Sequence, residues 1–303
     1  MNKIIVDLST HNGNVNMVKL KNSGIYGIIQ RVGYGSNTID DTARKNINNA
    51  LKAGLKVGCY WFMYSLNTEQ ALQESKNFNN FLLQYRGKLE LPIYCDFEYD
   101  TERYANQNGV YFDRNSRTEI IKTFLNYLEL QGWYVGNYAN SDYINNKLNN
   151  LDKYDLWLAY WGGKPPVPLL NKTGMWQYTS GGKLSGVKGY VDTNYMLKDY
   201  PTIIKRNKLN GFGKVANTNN NSDYLSVFGY EVLRGTYGNG NDRINNIYKT
   251  VQNEVNNLLH NKHVQNNYIT NTAKDVIKGK YGNGAERKFN LYKAIQAKVN
   301  KMI

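Results

Sequence analysis

At 303 residues with 41% hydrophobic content, the chain can bury a real core and more than one domain, which excludes a disordered or fibrous protein. Its net charge of +14 is unevenly placed: residues 201–303 hold 16 of the 38 Lys+Arg but only 6 of the 24 Asp+Glu. The C-terminal third is therefore built to meet something anionic, whether nucleic acid, a membrane surface or a cell wall.

Met1-Asn-Lys-Ile-Ile-Val-Asp7 enters a short buried strand at once, which predicts no signal peptide and synthesis in a cytoplasm. A polar turn, Leu8 to Gly13, follows. Val15 to Lys21 has helical spacing and Gly24 ends it. Ile25 to Val32 is a second strand with Arg31 near its end, and Asp40-Asp41 caps a helix running to Ala53. Val57 to Tyr64 is an aromatic third strand, and Thr68 to Tyr85 is a helix with Phe78, Phe81 and Leu82 on one face. Leu91 to Glu98 is the fourth strand. Cys59 and Cys95 lie in these apolar strands without a C-x-x-C partner, which predicts buried free thiols.

The alternation continues with a helix from Arg114 to Gln131, a strand from Trp133 to Tyr138 and a short helix from Ser141. Leu156 to Trp161 is another strand, broken by Gly162 to Pro166. Met175-Trp-Gln-Tyr178 and Tyr190-Val-Asp-Thr-Asn194 read as two short strands around a Gly-rich turn. Strand-helix units at roughly 30-residue spacing point to a parallel sheet. Eight candidate strands make an irregular (β/α) barrel the expected fold, its final section resembling a hairpin. A doubly wound sheet is the alternative, but the Gly-rich phosphate fingerprint of its nucleotide-binding form is missing.

In a barrel, catalytic side chains gather where strands end. Asp7 ends the first strand, Asp96 and Glu98 the fourth, and Asp192 the last strand-like run. Asp96 and Glu98, two apart, are expected on one strand face with Cα atoms ~7 Å apart. Paired carboxyls of this kind suit acid-assisted cleavage of a sugar acetal. Asp100 and Glu102 read as loop-surface charges. His11 has no ligand spacing around it, so a turn role is expected, and neither a metal nor a cofactor. Tyr60, Trp61, Tyr64, Tyr138, Tyr160, Trp161 and Trp176 are candidates to stack on sugar rings, with Tyr60 and Tyr138 preferred.

Beyond Pro201 the sequence turns rich in Asn and Lys, and then repeats. Val232 to Arg243 matches Val276 to Arg287, and the match runs on through Tyr248-Lys249 and Tyr292-Lys293. About half the positions are identical over this window, so the repeat is real. Each copy reads as helix, Gly-containing turn, helix, with Val251, Val255, Leu258 and Leu259 as an apolar stripe. The expected organisation is a barrel at 1–203, a linker at 204–222, and two all-α repeats at 223–262 and 266–303. Tandem copies suggest multivalent attachment to a repetitive surface. Arg234, Tyr237, Asn239, Arg243 and their counterparts Lys278, Tyr281, Asn283, Arg287 are the candidate contacts to that surface. The alternative reading of the Gly-Asn-Gly part is turn chemistry that the fold needs. No nucleic-acid module is recognisable in the basic region. No apolar run reaches the ~18 residues of a membrane span, so no membrane insertion is expected.

Residues 1 to about 200 resemble glycoside hydrolase family 25, the Chalaropsis-type lysozymes. The resemblance rests on the ordered set Asp7-Leu-Ser-Thr-His-Asn-Gly13, Gly58-Cys-Tyr-Trp-Phe62, Asp96-Phe-Glu98, Leu156-Trp-Leu-Ala-Tyr160, Met175-Trp-Gln-Tyr178 and Val191-Asp-Thr-Asn194. The C-terminal pair resembles the small wall-binding repeats of some phage lysozymes of Gram-positive hosts. The resemblance implies an N-acetylmuramidase acting on peptidoglycan after release from the host cytoplasm. It makes Glu98 the general acid, Asp96 its electrostatic partner, and Asp7 and Asp192 the rest of an acidic ring. Clustered carboxylates raise one another's pKa, which agrees with those roles. Either an aspartate or the substrate's own acetamido group could act as nucleophile. Two departures stand out: Trp61 where many relatives have His, and Arg31 where Lys is common. The other readings are an exported autolysin and a wall-binding protein without catalysis.

Overall fold

A computed structural model describes residues 3–212, 240–260 and 268–300, with 225, 228, 229, 232 and 236–238. The chain divides into two units, 1–214 and 215–303.

The first unit is a closed barrel. Its strands are β1 (Lys3–Leu8), β2 (Gly27–Tyr34), β3 (Thr38–Ile39), β4 (Lys56–Phe62), β5 (Ile93–Asp96), β6 (Val135–Asn140), β7 (Asp155–Ala159), β8 (Thr173–Gly182) and β9 (Val191–Met196). The order is β1-β9-β8-β7-β6-β5-β4-β2, closed by a parallel β1–β2 pairing, with the two-residue β3 attached to β2. All barrel neighbours are parallel except β8–β9 and β9–β1. The expected irregular barrel is present, and its irregularity is this one reversed strand.

The two-residue period of the strands sorts the core into two layers. One set faces the helices: Val6, Leu8, Ile28, Val32, Cys59, Trp61, Ile93 and Cys95 pack with Phe78, Phe81, Phe124 and Leu128. Those last four come from α3 (Thr68–Leu82) and α5 (Arg114–Leu130), which cover the sheet with apolar stripes. Both helices start on side-chain caps: Asn67 accepts from Gln70 N and Asp113 from Ser116 N. The opposite set, Ile5, Ile29, Tyr60, Tyr94, Tyr138, Trp157, Met175 and Met196, fills the lumen. Both cysteines are buried and free.

Several expected boundaries move. α2 (Ala43–Lys52) begins at Thr42, which makes no side-chain cap bond. Asp40, expected as a cap, instead accepts from Thr42 N, Thr10 N and Arg31 Nε. The strand expected to reach Glu98 stops at Asp96, and α4 (Tyr99–Gln107) follows. Asp100 and Glu102 are therefore helical. Glu102 is half-buried and bonded to Arg117 and Tyr143, so it holds structure together rather than decorating a loop. Residues 204–212, expected to start a linker, belong to the barrel. α7 (Tyr200–Arg206) lies under the lumen with Tyr200 bonded to Tyr94 and Asp155. Buried Asn210 then ties Leu89 O, Leu91 O and Tyr134 N together beneath the sheet. The rest of the expected linker, 213–222, lies outside the described residues.

The second unit has its own core. Phe228, Val232, Tyr237, Ile247, Val251, Val255, Ala273, Val276, Tyr281, Leu291, Ile295 and Val299 are buried together. Its described helices include Gly240–Leu259, Tyr268–Ile277 and Gly284–Val299. The first buries Ile247, Val251 and Val255 at four-residue spacing, while Leu259, expected in the stripe, is 63% exposed.

Candidate active site

The acids meet because of strand direction. Asp7 and Asp96 are the last inward-pointing residues of β1 and β5. Asp192 was expected at a strand end, yet it stands near the start of β9. Because β9 runs antiparallel, its start lies at the same mouth, directly paired with Asp7. Glu98 is not on the strand. It occupies the position before α4, where Thr101 Oγ1 accepts from Glu98 N at 3.1 Å and donates to Met63 O at 2.7 Å. Phe97 between the acids turns outward and packs against Phe112 and Tyr143, which keeps both carboxyls on the lumen side.

The mouth is a cleft of about 560 Å³ lined by all four acids. Two proton-sharing pairs result. Asp96 and Glu98 share one hydrogen bond, and Asp7 and Asp192 share another. Burial, then the charge of Glu98, pushes Asp96 well above the usual carboxylate range. Burial also raises Glu98. Asp7 is raised well above normal by burial and then by the charge of Asp192, which is itself raised by burial. Asp7 Oδ2 also accepts from Asn194 Nδ2 at 2.9 Å and Gln177 Nε2 at 3.2 Å, which partly offsets that rise. Each pair therefore holds a proton to higher pH than an isolated carboxyl would, as a property of the pair.

Aromatic rings form the walls. Tyr60 and Tyr138 line the cleft as expected, packed edge-on against Trp157. Burial raises both phenols well above normal, so they remain O–H donors; Tyr138 donates to Gln177 Oε1 at 3.0 Å. Tyr64 and the half-exposed Trp161 are also in the cleft wall. His11 is exposed at its rim.

Three expected binders stand elsewhere. Trp61 is fully buried in the outer layer, where its indole donates to Glu74 Oε2 at 3.0 Å. It alternates with Tyr60, so only one of the two can face the lumen. Trp176 points outward beside Tyr178 and Tyr195, and its indole donates to the Tyr160 carbonyl at 2.7 Å. Tyr160 follows β7 half-buried and lines no part of the cleft. Conversely, Trp157, Gln177 and Asn194 escaped the sequence reading. All three lie in the motifs already singled out. Counting alternate residues from Asp192 would have found Asn194, whose Oδ1 also accepts from Trp157 Nε1 at 2.7 Å. Among the described residues Arg31, paired with Asp40 at 3.0 Å, is the only Lys or Arg in the cleft lining.

In the repeats, Tyr237 and Tyr281 are core residues at 5% and 4% exposure rather than wall contacts. Arg243 Nε donates to Gly238 O at 2.8 Å, and Arg287 Nε to Gly282 O at 3.0 Å. Asn246 and Asn290 brace the same turns through the Tyr237 and Tyr281 carbonyls. Gly238 and Gly282 adopt φ of 73° and 74°, a left-handed conformation that side chains resist. The shared motif is thus a turn stapled by an arginine. Lys278 and Asn283 are exposed, and Arg234 and Asn239 lie outside the described residues. Among the described residues no His, Cys, Asp and Glu cluster is arranged to hold a metal ion, and no helix is long and apolar enough to cross a membrane.

Comparison with known proteins agrees with this geometry. The model of glycosyl hydrolases family 25 matches residues 6–187, and that of the CW_7 repeat matches 229–259 and 271–303. An autolytic lysozyme of Clostridium acetobutylicum is 25% identical over 188 residues, which are 62% of this chain and 53% of that protein. Lysozyme M1 of Streptomyces globisporus is 28% identical over 203 residues, 62% of this chain and 66% of that one. The chain thus spans less than two-thirds of the length of these curated relatives. The crystal structure of the CTP1L endolysin superposes with a TM-score of 0.56 at 28% identity, covering 67% of this chain and 70% of that one. With the family model matched over residues 6–187, more than half of the chain, the chain belongs to glycosyl hydrolase family 25 and carries two CW_7 repeats.

Proposed function

We propose that the chain is a peptidoglycan N-acetylmuramidase whose barrel cuts the β-1,4 bond from N-acetylmuramic acid to N-acetylglucosamine. The observation that carries this reading is the hydrogen-bonded Asp96–Glu98 pair, held in a cleft opposite Asp7–Asp192 and walled by aromatic rings. Glu98 delivers the pair's proton to the leaving glycosidic oxygen. Asp96 stays behind as the charged partner, and the second pair faces the positive charge that develops on the sugar ring. Tyr60, Tyr138 and Trp161 present ring faces and hydroxyls to the pyranose units. The relatives named lysozyme and endolysin support the reaction class, and the basic repeats support attachment to an anionic wall. We further propose Gram-positive walls as the target.

The deciding experiment is mass spectrometry of digested peptidoglycan. New reducing ends on muramic acid are expected. Reducing ends on glucosamine, or none from walls that the protein binds, would overturn the assignment in favour of another glycosidase or a wall-binding protein.

A further inference from the structure

Four of the residues that the two repeats share at their Gly-rich turns, Tyr237, Tyr281, Arg243 and Arg287, serve the turns and core themselves. The positions where the copies differ offer a second place to look for recognition. A groove of about 430 Å³ opens within the repeat unit, lined by Asn241, Ile244 and Asn245 from one copy and Lys288 and Phe289 from the other. That volume lies in the usual range for small-molecule sites. Asn241, Ile244 and Asn245 share one helix face by their three- and four-residue spacing. At the corresponding positions the second copy has Ala285, Lys288 and Phe289. The groove is therefore asymmetric, and one copy alone cannot make it.

Its chemistry is specific. Phe289 is 52% exposed, and Lys293 sits 4.4 Å from its ring centroid. Such a ring, backed by a cation and open beyond it, is a platform for the C–H face of a sugar. Ile244 adds a second apolar contact. The Asn241 and Asn245 carboxamides offer both donors and acceptors, matching hydroxyl and acetamido groups. Lys288 donates to Asn245 Oδ1, and neither Lys288 nor Lys293 forms an ion pair among the described residues. A cation in that state favours a carboxylate-bearing ligand. We propose that this groove binds an N-acetylated, acid-bearing amino sugar of the wall glycan, one per chain, with Phe289 as platform and Lys288 as the carboxylate contact. The proposal rests on the wall-binding reading above.

The test uses the full chain and the disaccharide N-acetylglucosaminyl-N-acetylmuramic acid, which lacks the bond from muramic acid to glucosamine that the barrel is proposed to cut and so stays intact. All five tryptophans lie between Trp61 and Trp176, so cleft binding changes tryptophan fluorescence through Trp157 and Trp161 while repeat binding is silent. Calorimetry is expected to find one fluorescence-silent site per chain. Phe289→Ala or Lys288→Gln should weaken that site about tenfold, with the fluorescence titration unchanged, and Phe289→Tyr should keep it. Two silent sites, or one that all variants leave intact, would overturn the groove assignment. A parent that pellets with purified walls yet shows no silent site would overturn it too, while sparing the wall-binding reading. A parent that does neither would sink both.

Discussion

Replacing Glu98 by Gln removes a proton donor and little else. The side chains have nearly the same shape, and the clamp that places residue 98 runs through its backbone N–H to Thr101 Oγ1, not through the carboxyl. General acid catalysis contributes about 10²–10⁴ in rate, or about 3–5 kcal/mol of barrier, so turnover on purified walls should fall by that factor. Stability should not fall with it. Burial raises the Glu98 pKa, so ionising it costs the fold something that a neutral amide does not. The thermal midpoint near pH 7 is therefore expected to hold or rise slightly, and pelleting with walls to be unchanged. The pH profile gives a second reading. In the parent, activity needs one proton on the Asp96–Glu98 pair, and both members are raised. Activity should then persist above the ordinary carboxylate range and decline on the alkaline side as that proton leaves. In the variant this alkaline limb should vanish from the residual rate. The assay is release of reducing ends from purified peptidoglycan across pH, with the thermal midpoint measured on the same samples. A Glu98→Gln protein that keeps more than about a tenth of parental turnover would refute the donor assignment.

Three further outcomes are expected. Glu74, buried behind the β4 aromatics, is pushed up to about 7 by burial, against an ordinary 4.5. Its contribution to stability is thus full below about pH 4.5 and is lost as pH rises towards 7, by about 3 kcal/mol. Urea unfolding followed by tryptophan fluorescence should show a smaller loss between pH 5 and 8 in Glu74→Gln, and identical curves would contradict the linkage. Asn194→Ala frees both Asp7 and the Trp157 indole, and should lower kcat up to about a hundredfold while KM changes little. Steady-state kinetics on soluble glycan fragments would reveal the split, and a pure KM effect would argue against a positioning role. Arg287→Ala removes a charged donor to the Gly282 carbonyl, and should destabilise the repeat unit by about 2 kcal/mol. Calorimetric unfolding should then show a lowered repeat transition beside an unmoved barrel transition; a shift in the barrel alone would contradict the assignment.

The acids were legible because each stands beside an apolar run, and a barrel collects strand ends at one mouth. What the sequence did not convey was direction. Asp192 reaches the mouth from the start of β9, and nothing in Val191-Asp-Thr-Asn194 says which way that strand runs. Helix α4 was hidden for a related reason. Asp100, Thr101 and Glu102 look like a polar loop, and only the neighbours Arg117 and Tyr143 make a partly buried Glu102 tolerable. Trp61 was misread although the period-2 rule was available. It alternates with Tyr60, and Cys59 on its own side belongs to the outer layer. The repeat tyrosines are a harder case. A half-apolar side chain in a Gly-rich turn satisfies both a binding and a packing reading, and the choice depends on partners such as Phe228 that lie outside the motif. Residues 204–212 were hidden because a buried Asn, here Asn210, is indistinguishable by composition from a linker Asn.

The electrostatics of the cleft explain why the acids come as two pairs. Four ionised carboxylates in a largely buried mouth would repel one another strongly at low effective dielectric. Arg31, paired with Asp40, lowers the Asp96 pKa only in part, and burial and the charge of Glu98 outweigh it. The less costly state keeps a proton between Asp96 and Glu98 and another between Asp7 and Asp192, leaving one negative charge per pair. Those protons are not equivalent. Asp7 is held from outside its pair by Asn194 and Gln177, so its proton serves to fix geometry. Among the described residues no N–H or O–H donor reaches Asp96 Oδ1, so that pair has little besides its own proton to stabilise it. With no other donor to stabilise its anion, the pair holds this proton to higher pH than the ordinary carboxylate range. The proton is therefore still in place when glycan binds, and it passes to the glycosidic oxygen as negative charge develops there. The charge left on Asp96 and Glu98 then adds to that of the Asp7–Asp192 pair at the moment the sugar ring becomes cationic. The same burial that makes the acids costly to ionise thus supplies the donor before bond cleavage and the counter-charge during it.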